Sequence, residues 1–92
     1  MAKKIILMSS DTLVSREDAA AFLRQLADKL ESGSVSLVQG EQEVVLEVPA
    51  QVHLEIEAEE KPKKGGVKRQ LEVEIEWMTG PGGRPQEKLE RG

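Results

Sequence analysis

The sequence predicts an α+β domain: one amphipathic helix packed on one face of a mainly antiparallel sheet of four to five strands. Three observations lead there. Leu71-Glu72-Val73-Glu74-Ile75-Glu76-Trp77 alternates apolar and acidic residues without a slip, the signature of a strand with one dry and one charged face. Ser15 to Ser32 places its apolar residues at helical spacing. Between the two, the hydrophobic period is 2 and the turn residues are closely spaced, as in a meander with short connections.

Four apolar residues open the chain at Ile5-Ile6-Leu7-Met8, which predicts a first strand that needs cover on both faces. The run is too short for an export signal or a membrane span. Ser15 is the expected N-cap, with Asp18 three positions on and Glu17 beside it at the positive end of the helix dipole. Ala19, Phe22, Leu23, Leu26, Ala27 and Leu30 then form one stripe, and Gly33 is placed to end the helix near Glu31 or Ser32. Phe22, Leu23 and Leu26 are expected to share a core with Trp77.

Ser34 to Val38 and Glu43 to Val48 predict two strands about Gln39-Gly40-Glu41-Gln42, pairing Leu37 with Leu46, Val35 with Val48 and Val38 with Val45. Pro49 breaks the ladder before Val52, Leu54, Ile56 and Ala58 alternate with His53, Glu55, Glu57 and Glu59. Lys61-Pro62-Lys63-Lys64-Gly65-Gly66 has the composition of a hairpin loop, from which the chain returns along the alternating strand. Residues 1–79 thus form one domain, and residues 80–92, beginning Gly80-Pro81-Gly82-Gly83, are expected to be a flexible tail.

These elements can be set beside a known group. The helix Ser15-Arg16-Glu17-Asp18-Ala19-Ala20-Ala21-Phe22-Leu23-Arg24-Gln25-Leu26-Ala27-Asp28-Lys29-Leu30, the Val48-Pro49 step and the closing Leu71 to Trp77 strand together resemble the amphi-Trp domain family. That family comprises short prokaryotic proteins named for an amphipathic strand ending in Trp. The resemblance runs to Trp77 and implies a small intracellular protein of bacterial or archaeal type. It implies no activity, because it brings no catalytic or ligand-binding residues with it.

Charge limits the functional classes. The net charge is −4, unevenly spread: residues 41–60 hold seven acids and no Lys or Arg, whereas residues 61–70 hold five bases and no acid. The absence of Cys excludes a disulfide framework, a thiolate metal site and a cysteine nucleophile, and suits a cytoplasmic location. The candidate interaction face is His53, Glu55, Glu57, Glu59, Glu72, Glu74 and Glu76, where like charges opposed across strands either rely on solvent screening or await a cation.

A non-enzymatic protein-interaction module with a basic partner is the expected role, with no cofactor, no metal ligand set and no catalytic residue assigned. A flat row of carboxylates does not converge as calcium requires. The alternative is a small ligand- or cation-binding protein, or an enzyme, using Glu residues and the lone His53; it requires a pocket converging on that imidazole. A weaker alternative is nucleic-acid contact through Lys61 to Arg69, which lacks phosphate-loop spacing and is flanked by acids. Val38, Val45, Ile6 and Met8 form a candidate self-association patch for a homodimer or strand-edge contact through the first half of the sheet.

Overall fold

The computed structural model describes residues 3–80. Its elements run α1 (Arg16–Ser32), β1 (Ser34–Gln39), β2 (Gln42–Glu47), β3 (His53–Lys63) and β4 (Gly66–Glu76). The composition is α+β, every pairing is antiparallel, and the four strands pair as two two-stranded sheets, β1-β2 and β3-β4. The chain divides correspondingly into two compact units, residues 1–48 and 49–92.

In the first unit, helix α1 forms where its end signals place it. Ser15 stays extended and its Oγ accepts a hydrogen bond from the Asp18 amide at 2.9 Å. At the other end Gly33 takes the left-handed conformation, φ 94°, and its N–H donates to the Leu30 carbonyl at 3.1 Å. The Gly33 carbonyl accepts from Val48 N–H at 2.9 Å, so one residue both stops the helix and extends the β1-β2 ladder.

The β1-β2 register differs from expectation by two residues: Val35 faces Leu46, Leu37 faces Val44, Ser36 faces Val45 and Val38 faces Glu43. The cause is local. Gly40, φ 60°, is the first of two turn residues between Gln39 and Gln42, a position where a tight hairpin favours Gly. A shift by two preserves the faces, so Val35, Leu37, Val44 and Leu46 still lie together, and Val38 and Val45 become diagonal neighbours on the other side.

Helix α1 packs against β1, and Val35, 5% exposed, is the one buried hydrophobic residue among those described. Leu26 and Leu30 are half-buried, and Lys29 stretches over the sheet to donate from Nζ to the Ser36 carbonyl at 2.8 Å. Of the four residues expected to share a core, Leu26 and Trp77 are half-buried, whereas Phe22 and Leu23 are 54% and 56% exposed. The six-residue β1 is about 20 Å long against a helix of about 25 Å, too short to cover the whole of the helix's apolar stripe.

The expected first strand also needs correction. Residues 5–8 adopt no regular structure, with Ile5 77%, Ile6 66% and Leu7 53% exposed. Four consecutive apolar residues supply strand-like content but no alternation to select a pairing face. One tether is present: Gln42 Nε2 donates to the Leu7 carbonyl at 3.0 Å.

In the second unit, β3 and β4 are eleven residues each and remain paired from His53↔Glu76 to Lys63↔Gly66. The loop is shorter than its composition suggested: Lys61, Pro62 and Lys63 continue the strand, leaving Lys64 and Gly65 as the turn, with Gly65 at φ 90°. The tail expected at residues 80–92 lies, after Gly80, outside the described residues.

Candidate functional site

Pairing and alternation divide the side chains of β3-β4 cleanly. Leu54↔Ile75, Ile56↔Val73 and Ala58↔Leu71 occupy one face. His53↔Glu76, Glu55↔Glu74, Glu57↔Glu72 and Glu59↔Gln70 occupy the other, which continues into Lys61↔Lys68 near the turn. All seven residues of the candidate interaction face therefore lie on one side of one hairpin, and all are exposed. The register brings the basic and acidic ends of that face into one stripe.

The acidic end is crowded. Carboxylate oxygens of Glu55, Glu74 and Glu76 can be chosen that all lie within 4.8 Å of one another. A hydrogen bond to the Glu74 carboxyl and the charge on Glu74 raise the pKa of Glu55 above its ordinary value of 4.5, with smaller contributions from desolvation, Glu57 and Glu76. Gln70 Nε2 donates to Glu72 Oε2 at 2.9 Å and gives that carboxylate a neutral partner.

Among the described residues no lysine or arginine pairs with a glutamate of the row. Among the described residues the ion pair is Arg69 Nε to Glu60 Oε1 at 3.2 Å, on the opposite, apolar face. Both side chains are well exposed, so the pair adds at most about 1 kcal/mol. His53 faces Glu76 at the end of the ladder.

A concavity of about 450 Å³ lies in the first unit, between Met8, Phe22, Lys29, Leu37 and Val38, and does not include His53. Of the candidate self-association patch, Val38, Val45 and Ile6 are 69%, 51% and 66% exposed, and Met8 is half-buried. Among the described residues no helix is long and apolar enough to cross a membrane.

A capped helix leading into an antiparallel hairpin, together with a long amphipathic hairpin, defines a small α+β protein whose distinctive surface is a ladder of opposed glutamates. The chain belongs to the Amphi-Trp domain family, whose model matches residues 1–91. No curated protein and no solved structure matches it.

Proposed function

We propose that the protein is a non-enzymatic interaction module that docks a basic protein segment on the carboxylate face of β3-β4, within the cytoplasm. The observation that supports this reading is the Glu55–Glu74 pair: two carboxyls opposed closely enough to raise one pKa, with Glu76 beside them and, among the described residues, no ion pair to any of the three. A Lys- or Arg-rich segment lying along the hairpin would replace repulsion with charge-assisted hydrogen bonds. An open sheet face suits an extended polypeptide better than a small substrate, which needs enclosure.

The test uses a lysine-rich peptide as probe, titrated into the full chain and followed by calorimetry at ~0.05 M and ~0.15 M salt. Binding that weakens with salt and is lost in the Glu55→Gln/Glu57→Gln/Glu74→Gln variant supports docking. Equal binding by the variant removes it.

A second reading rests on the same three carboxylates: a divalent cation held by Glu55, Glu74 and Glu76. Three exposed carboxylates reach the lower end of the six to eight oxygens that calcium takes only if every one binds through both oxygens, which makes this the lesser reading. Calcium titration followed by NMR separates the two, since a resident ion shifts these residues in saturable fashion without peptide.

A further inference from the structure

We infer that the outer edge of β4 pairs with the same edge of a second copy of this chain, antiparallel about a two-fold axis at Leu71. The inference does not require the basic partner, because its hydrogen bonds come from the strand's edge, although its register also draws on Lys68 and Glu74 of the charged stripe.

The edge is available. The sheet order is β3-β4 alone, so among the described residues no strand pairs with the outer side of β4. A two-stranded sheet by itself is marginal in water, whereas four strands with a shared apolar face reach independent stability. Leu71 and Val73, 73% and 54% exposed, show how little one hairpin covers of its own apolar side.

Backbone chemistry selects which groups point outward. Pro62 has no N–H and sits in β3, as proline does when its nitrogen faces away from the ladder. Its partner Val67 then lies in a pair not exchanging hydrogen bonds, and by alternation the N–H and C=O groups of Arg69, Leu71, Val73 and Ile75 also face outward. Five residues of β4 therefore present bonding groups to a neighbour. The β3 edge, by contrast, lacks a donor at Pro62, and full overlap with its own copy sets Glu57 against Glu59.

Charge selects the occupant and register. β4 is basic at its start, with Lys68 and Arg69, and acidic at its end, with Glu72, Glu74 and Glu76. Antiparallel self-pairing over the full strand sets Lys68 against Glu74, Gln70 against Glu72, Val67 against Ile75 and Leu71 against itself. No like charges are directly opposed. Moving the dyad to residue 72 sets Glu72 against Glu72 and shortens the overlap. The register of greatest overlap is thus also the one charge favours, and it forms about ten inter-strand hydrogen bonds.

Sedimentation equilibrium of the full chain over a wide concentration range tests this. The wild type is expected to dimerise, and Lys68→Glu, which opposes Glu74 of the other copy twice per dimer, should weaken it at least about tenfold. Adding Glu74→Lys to the same chain should restore the dimer, a rescue that misfolding would not give. A wild type monomeric throughout overturns the inference, as does a dimer insensitive to Lys68→Glu or a double variant that stays monomeric.

Discussion

Gly33 is where the helix and the first hairpin depend on one backbone conformation, and Gly33→Ala isolates that dependence. With φ 94° and ψ 1° the residue occupies a region that a side chain disfavours by about 1–2 kcal/mol. Steric clash is not the reason: a methyl group there would meet the Val48 carbonyl oxygen at 3.9 Å, ordinary van der Waals distance. The alanine also narrows the unfolded ensemble, which returns roughly 0.4–1 kcal/mol. The net expected loss is about 1 kcal/mol, or on the order of 4–8 °C in melting temperature for a chain of this size.

Thermal and urea unfolding followed by circular dichroism measures this loss, and Gly33→Asn should recover part of it because Asn tolerates left-handed backbone better. If the alanine variant equals or exceeds the wild type, the helix does not end through a left-handed residue. The hydrogen bonds from Gly33 N–H to Leu30 and from Val48 N–H to the Gly33 carbonyl would then need another explanation.

Further expectations follow from the same structure. Ser15→Ala removes the acceptor for the Asp18 amide and should cost about 1 kcal/mol, whereas Ser15→Asp should keep the cap; helical ellipticity and urea midpoints decide. Val35→Ala, at the buried position of β1, should cost about 1.5 kcal/mol or more in the same unfolding assay. The carboxylate row predicts a pH dependence of definite sign. Because the folded pKa of Glu55 is raised above 4.5, the native hairpin retains a proton in the window above 4.5 that the unfolded chain has released. Its contribution is therefore favourable below that window and is lost as pH rises through it. Hydrogen exchange of β3 amides should show Glu55→Gln protecting the hairpin more than wild type at pH 7, with the advantage shrinking on acidification.

Local rules made the helix legible: Ser15 and Gly33 act within a few residues of themselves, and both ends fell where their chemistry placed them. Alternation did the same for β3-β4, since a period of 2 over His53 to Glu59 and Leu71 to Trp77 leaves one assignment of faces. Turn geometry was less legible. Gly40 and Gly65 each serve a two-residue turn, and choosing the turn position changes every pair downstream without altering either face. Ile5 to Met8 could not be placed because apolar content alone names no neighbour. The joining of strands into one sheet likewise depends on distant pairing, which Val48-Pro49 interrupts and no nearby residue specifies.

The acidic stripe was legible as composition, and register turned it into geometry: Glu55 opposite Glu74 and Glu57 opposite Glu72, with Lys61 opposite Lys68 at the far end. Its bearing on function is tested most directly by mapping amide NMR shifts while a lysine-rich peptide is added to the full chain. Perturbations concentrated at His53, Glu55, Glu57, Glu72, Glu74 and Glu76 are the predicted result. Shifts confined to the first unit, around Val38 and Val45, or no shifts at low salt, would contradict the assignment of the glutamate ladder as a docking face.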